Sequence, residues 1–256
     1  GSEKLTETIF WERSVSRFSF RFGRADGESA GDIGTEVARR MWVSLQLAIP
    51  IFILQIIASV SFALLLVMFR HTRLDLAGVV LCVVMLSISA LFYIIVGQFL
   101  FSRVFRLVPA SGYTGGFDLI RFLILPVLLS AIARLGTEAR LYRAMFLEEI
   151  GKDYVRTARA KGLAETAVLY RHVLRNALIP IVTSAGGYLP YVFLGSLVFE
   201  SFFGIPGLGA YAIEAISKQD IAIVRTMVFV GSVLYIASYI LIDIAYTWVD
   251  PRVRLT

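Results

Sequence analysis

Charge-free apolar stretches alternate with short polar segments along this chain. Residues 43–69, 76–102 and 177–199 carry no charged side chain. Each is longer than the roughly 20 helical residues that cross a ~30 Å hydrocarbon core. Residues 227–242 form a further run, extended past Asp243 to Val249, and residues 122–133 form a shorter one with charged residues at both ends. A helix satisfies its own backbone hydrogen bonds in lipid. The pattern therefore predicts an all-α, polytopic membrane protein with five transmembrane helices. Composition agrees, with 57% hydrophobic residues and a mean hydropathy of +0.75, well above the apolar share of a soluble domain.

Charge orients the bundle. Lysine and arginine concentrate in cytoplasmic loops, and the loops of a five-span chain fall into two alternating sets. One set (residues 70–75, 136–176 and the tail 250–256, with Arg134 at its edge) holds 13 basic residues and the other (103–121 and 200–225) holds 5. The first set is assigned to the cytoplasm, so 103–118 and 200–220 face out. Residues 1–42 then form an extracytoplasmic segment, in which 35–42 read as a short interfacial helix anchored by Trp42, and 43–249 form the transmembrane domain. The net charge of +6 reflects this topology and attraction to anionic membrane lipid rather than nucleic-acid binding.

Few residues inside the spans invite chemistry. Cys82, the lone cysteine, can form no internal disulfide and reads as a small packing residue. His71 and His172 stand apart in loops without ligand-spaced neighbours, so no metal site is expected. The phosphate-cradling G-x-x-x-x-G-K-[ST], the G-x-S-x-G elbow and H-E-x-x-H are absent from the sequence, so no catalytic residue is assigned. Gln55, Ser59, Gln98 and Ser184 either line a polar translocation path or bond between helices. Arg134, Glu138 and Asp243 read as anchors of the helices, the first two as an i,i+4 pair. Pro50, Pro126, Pro180 and Pro190 read as tolerated kinks, and Gly186-Gly187 as a place where a helix bends during gating.

The polar stretch between two apolar runs is the most informative part. Residues 153–162 read Asp-Tyr-Val-Arg-Thr-Ala-Arg-Ala-Lys-Gly. Asp153 is placed to cap a short helix, and Gly162 to end it in the left-handed conformation. A second short helix is expected over 164–171. Ala158 and Ala160 would let a partner approach closely, while Arg156, Arg159 and Lys161 offer it charge. A stiff basic knuckle held outside the lipid suits contact with a soluble partner.

This stretch resembles the EAA loop of permease subunits in binding-protein-dependent ABC importers. Of the general EAA pattern only Ala158, Gly162 and Leu174 match. The run 153–162, followed by Arg-His-Val-Leu-Arg-Asn-Ala at 171–177, is similar to the dipeptide/oligopeptide branch. Three more stretches agree with that branch: Leu-Val-Pro-Ala-Ser-Gly at 107–112, Glu200 and Phe203 with Pro-Gly-Leu-Gly at 206–209, and Tyr-Thr-Trp-Val-Asp-Pro-Arg at 246–252. Gly-Asp-Ile-Gly at 31–34 is similar to the segment ahead of the family's second helix. The likeness runs from about residue 30 to the end, and the family's first helix has no counterpart in it.

The resemblance implies a type I ABC importer permease fold in the bacterial cytoplasmic (inner) membrane. It implies a second permease subunit, two ATPase subunits and an extracytoplasmic binding protein as partners. ATP and Mg would sit on the ATPase subunits, with no cofactor on this chain. Asp153, Tyr154, Arg156, Thr157, Ala158, Arg159, Ala160, Lys161 and Gly162 would couple to an ATPase. From its external placement, the loop with Glu200, Phe203, Pro206, Gly207 and Gly209 is expected to contact the docked binding protein or to help evict substrate from it. The competing classes are a secondary transporter, which favours inverted repeats and a charged midplane site, and an intramembrane enzyme, which needs paired catalytic groups. The sequence displays neither signature.

Overall fold

Asp32 starts the first long helix: its carboxylate accepts the Gly34 amide at 3.4 Å and the Thr35 hydroxyl at 3.0 Å. From there α1 (Ile33–Met68) runs for 36 residues without a break. At 1.5 Å per residue this is about 54 Å, more than the hydrocarbon core requires. The expected separate interfacial helix over 35–42 does not form. Glu36 pairs with Arg39 and Arg40 at i+3 and i+4, which supports helix through the charged stretch. Trp42 is thus a mid-helix residue, 64% exposed. The structure, a computed structural model, describes residues 32–114, 119–188 and 197–249, the last five by backbone alone.

A four-residue turn with His71 at φ 64° reverses the chain into α2 (Arg73–Ser87) and α3 (Ala90–Gln98), which continues as a π-helical turn, Phe99–Val104. The expected single span over 76–102 is instead bent by 91° between these helices. Neither proline nor glycine marks the break. Ser87 donates to the Val83 carbonyl at 2.9 Å, and the Tyr93 hydroxyl to the Met85 carbonyl at 3.0 Å, so side chains take over carbonyls near the broken ladder.

The centre of the bundle is α4 (Leu119–Ile150), packed along α1. Its 32 residues join the short apolar run 122–133 to the charged stretch that follows, so the first fifteen residues of the expected loop 136–176 belong to a continuous helix. Bidentate contacts from Arg143 to Asp75, at 2.9 and 2.7 Å, tie α4 to the first turn of α2. At Gly136 the two helices come so close that a Cβ would stand 2.6 Å from the Cys82 carbonyl, the close approach that small residues permit in membranes.

After α4 come α5 (Asp153–Ala160), α6 (Glu165–Ala167), a π-helical turn over Val168–Val173, and α7 (Leu174–Gly186). The expected second short helix is therefore the start of a continuous one, merged through the π-turn into the next membrane segment. Gly186 abuts Ile242, which would stand 2.8 Å from an added Cβ. Then follow α8 (Leu197–Phe203), α9 (Leu208–Ser217) and α10 (Ile221–Val249).

Among the described residues α1, α4 and α10 are long and apolar enough to cross a membrane, and bent α2/α3 forms a fourth candidate. The expected span 177–199 includes 189–196, which lie outside the described residues, as do 250–256, most of 1–42 and Pro190. Large apolar side chains stay exposed on the outer faces, among them Leu76, Val80, Phe92, Val228 and Ile236, as lipid contact requires. One buried cluster joins α4, α5, the π-turn and α7 around Tyr142, Phe146 and Leu169. A second joins α1, α3, α4 and α8 around Leu47, Ile94 and Phe203.

Candidate functional site

Two ends of the bundle carry the residues singled out in the sequence. At the basic end, α5 is eight residues long and amphipathic. Val155 and Ala158 are buried in the cluster with Tyr142, Phe146 and Leu169, while Asp153, Arg156, Thr157, Ala160, Lys161 and Gly162 are exposed. Ala158, expected on a partner-facing surface, instead seats α5 on its own chain. Asp153 is not the cap: Lys152 holds the N-cap position without a side-chain bond, and Asp153 begins the helix.

The C-terminal end forms as a glycine there predicts. Gly162 takes φ 76°. Its amide donates to the Arg159 carbonyl at 2.9 Å, and the Leu163 amide reaches the Ala158 carbonyl at 3.4 Å, the two bonds of a Schellman cap. Nothing lies within 4 Å of a Cβ built on Gly162, so only its backbone conformation restricts substitution.

Side chains clamp α5 from both sides. The Tyr154 hydroxyl donates to Glu149 at 2.6 Å. Burial, with the Glu149 carboxylate next in effect, pushes the Tyr154 phenol up to about 12. Arg159 meets Glu165 in a bidentate pair at 3.0 and 2.8 Å, and Glu165 also stands 3.2 Å from Arg70 beyond the end of α1. The hydrogen bond from Arg159 holds the Glu165 carboxyl below its ordinary range, with burial opposing. Arg159, expected to face a partner, is thus engaged within the chain. Sequence reading missed Glu149, Glu165 and Arg70; of their contacts, the one from Arg70 to Glu165 joins residues far apart in the chain.

At the glycine-rich end a single carboxylate organises three helices. Glu200 is fully buried on α8. Its Oε1 accepts the Ser44 hydroxyl of α1 at 2.7 Å, and its Oε2 accepts the amides of Gly209 and Ala210 at 2.7 and 3.2 Å. The Ser44 oxygen in turn accepts the Leu208 amide at 2.8 Å. The N-cap position of α9 is Gly207, which has no side chain, so Glu200 and Ser44 supply the cap from neighbouring helices. The positive end of the α9 dipole favours this anion. A Cβ on Gly207 would stand 2.4 Å from the Glu200 carboxylate and 2.5 Å from the Ser44 oxygen.

The loops of this end are knitted together. The Gly112 amide donates to the Phe203 carbonyl at 2.8 Å. The Gln98 amide nitrogen donates to the carbonyls of Ala110 and Phe202, at 3.0 and 3.1 Å, and the Tyr113 hydroxyl to Gln46 at 2.7 Å. Phe203 stacks on Phe199 with centroids 6.4 Å apart. Of the expected external-loop contacts Glu200, Phe203, Gly207 and Gly209 are buried scaffold, and Pro206 is exposed, with Phe202 beside the turn.

The four residues read either as path lining or as bonds between helices do not share a surface. Gln98 is the loop clamp just described. Ser59 is fully buried, and its hydroxyl lacks a hydrogen-bond partner among the described residues. Ser184 is half-buried on α7. Gln55 alone faces a cavity of about 360 Å3 between α1, α3, α4 and α8, which Arg134 and Tyr188 also line.

Comparison with known proteins places this arrangement. The family model for binding-protein-dependent transport system inner membrane components matches residues 35–255. The chain is 34% identical over 242 residues to a putative peptide transport system permease protein of Brucella abortus (strain 2308), covering 93% of this chain and 76% of that one. It is 30% identical over 253 residues to the dipeptide transport system permease protein DppB of Bacillus subtilis (strain 168), covering 98% and 80%. Among solved structures, the inward-facing MetNI methionine ABC transporter matches with a TM-score of 0.66 at 15% identity, over 84% of this chain and 96% of that chain. An amino acid ABC transporter solved with histidines matches with a TM-score of 0.61 at 14% identity, over 91% and 96%. The last two establish the all-α type I importer permease fold.

Proposed function

This chain belongs to the family of binding-protein-dependent transport system inner membrane components, and from that premise we propose that it carries peptides or similar small solutes through a bacterial cytoplasmic membrane by alternating access. It is a multi-pass permease subunit without catalytic chemistry of its own. A second permease subunit completes the pathway, two ATPase subunits bind ATP and Mg, and an extracytoplasmic binding protein delivers the solute. The basic end faces the cytoplasm and the glycine-rich end faces out.

The observation that carries this reading is α5. Its inner face is locked onto α4 and the π-turn by Val155 and Ala158, while Arg156, Thr157, Ala160 and Lys161 stay outward. A capped helix seated in this way moves with the membrane helices as one body. A force applied to its exposed face by nucleotide-driven closure therefore reaches α1, α4 and α7. The peptide class rests on the named relatives.

Co-purification and transport test the reading. The chain reconstituted with the ATPase subunits of its own importer takes up peptide with ATP and Mg, and hydrolyses no ATP alone. The double variant Arg156→Glu, Lys161→Glu reverses two exposed charges without touching the buried face. It is expected to keep its helicity, lose ATPase pull-down and lose uptake. Unchanged pull-down and uptake would reject α5 as the coupling element.

A further inference from the structure

The cavity beside α1 and α4 holds one feature the coupling geometry does not use. Its volume of about 360 Å3 lies at the small end of ligand pockets, which span roughly 300–1,000 Å3. Most of the wall is apolar. Ser44, Gln55, Ser130, Arg134 and Tyr188 supply the polar side chains, and none of the described lining residues is acidic. The site thus presents one cation in a mostly apolar surround. An ionisable residue at membrane depth is costly and marks function more often than packing.

The guanidinium is held in a defined pose. Its centre lies 4.1 Å from the centroid of the Tyr188 ring. The Glu138 carboxylate one turn on stands 3.9 Å away, beyond hydrogen-bonding distance and 1% exposed, while the Arg134 side chain is 43% exposed. The Tyr188 ring covers one side of the guanidinium, and a guanidinium can offer a carboxylate two parallel N–H donors. Glu138 does not line the cavity; it is the more deeply buried charge of the pair, and Arg134 offsets its cost while also lining the cavity.

Ser130, one turn before Arg134, is an independent pointer. It is 96% buried, with 4% exposure, and its hydroxyl has no hydrogen-bond partner among the described residues. Buried hydroxyls are nearly always satisfied. Several serines return their hydrogen to the carbonyl four residues back, as Ser87, Ser217, Ser232 and Ser238 do. Ser59, Ser102 and Ser130 have buried hydroxyls without a partner among the described residues, and of these three Ser130 lines the cavity with Arg134.

We propose that this cavity binds a carboxylate-bearing solute, a short peptide held by its free C-terminal carboxylate on Arg134, with Ser130 and Gln55 completing the polar contacts. The proposal rests on the permease reading above and adds the chemistry the pathway recognises. Ser44 lines the cavity and also bonds Glu200, so the wall of this site is continuous with the clamp of the glycine-rich end.

The test uses the full chain in nanodiscs, with trialanine and trialanine amide as probes that differ in the terminal carboxylate. Binding is read by thermal unfolding and titration. Trialanine is expected to raise Tm, and the amide to bind at least about tenfold more weakly, the factor expected for a lost charge-assisted contact. Arg134→Gln abolishes the preference, and Arg134→Lys keeps part of it. Equal binding of both probes by the unaltered chain, a comparison that needs no variant, would overturn the proposal, as would an acid preference that survives in a folded Arg134→Gln chain. Uptake of trialanine in proteoliposomes with the ATPase subunits separates the two readings. Uptake without acid preference removes the site and leaves the permease, whereas acid preference without uptake supports the site and removes the permease.

Discussion

The two ends of this bundle hold their helices by opposite means. At the glycine-rich end one buried carboxylate, Glu200, serves α1 and α9 at once. The Ser44 and Gly209 donors lie out of water, where hydrogen bonds to a charged group are strong and their loss is costly. At the basic end α5 rests on an apolar seat of Val155 and Ala158, and its ion pairs sit at the water boundary, with Glu165 44% exposed. Such pairs contribute little singly. One end is pinned and the other is adjustable, as a chain needs if its loops are to keep their shape while its coupling helix transmits movement.

The largest effect should come from breaking the pinned end. Glu200→Ala removes the acceptor for Gly209, Ala210 and Ser44 and is expected to cost on the order of 3–5 kcal/mol. A large drop in Tm in detergent, with earlier proteolysis over 204–210, is the outcome to look for. If Tm held, Glu200 would not pin these helices and the contrast between the ends would collapse.

A middle-sized effect belongs to the cap of α5. Gly162→Val meets no neighbour but must adopt φ 76°, costing about 1–2 kcal/mol for a branched residue. Membrane insertion should be normal, while ATPase pull-down and uptake fall. Gly162→Asn, which tolerates this conformation, should restore most of both. Uptake equal in all three chains would show that the cap does not matter to coupling.

The smallest effect is expected at Glu165. Glu165→Gln keeps the shape and removes the charge that joins Arg70 to Arg159, with a change of about 1 kcal/mol or less. The carboxyl is held below its ordinary 4.5 chiefly by the Arg159 hydrogen bond. A depressed folded value means that the bracket contributes fully above pH 4.5 and is lost only as pH falls through the lower value. The unaltered chain and Glu165→Gln should therefore differ in Tm at neutral pH and converge in strong acid. A difference that grows on acidification would contradict the bracket.

Local signals in the sequence were legible where the physics is local. A charge-free run of more than 20 residues requires helix in lipid whatever surrounds it, and α1 follows over 43–69; α4 and α10 grow from the shorter runs 122–133 and 227–242. Gly162 ends α5 because a left-handed residue is needed there whatever it packs against. The loop from 153 to 162 and the turn from 204 to 209 stood out by composition alone. Boundaries were less legible: α1 begins ten residues before its apolar run because Asp32 and Glu36 support helix through polar sequence, and the 91° bend between α2 and α3 falls at a Ser-Ile-Ser with no breaker residue.

What only tertiary structure decided is the direction each polar side chain faces. Glu200 and Ser44 are 156 positions apart, and Gln98 and Phe202 are 104 apart, so no spacing rule connects them. Gln98, open between lining a path and bonding between elements, does the second, and Ala158, expected to meet a partner, seats its own helix. Arg134, expected only as an anchor, faces a cavity. Hydrophobic pattern and backbone conformation are properties of neighbouring residues, and the sequence alone determined those. The partner of a buried polar group depends on which helix packs against it, and that is set only when the whole bundle closes.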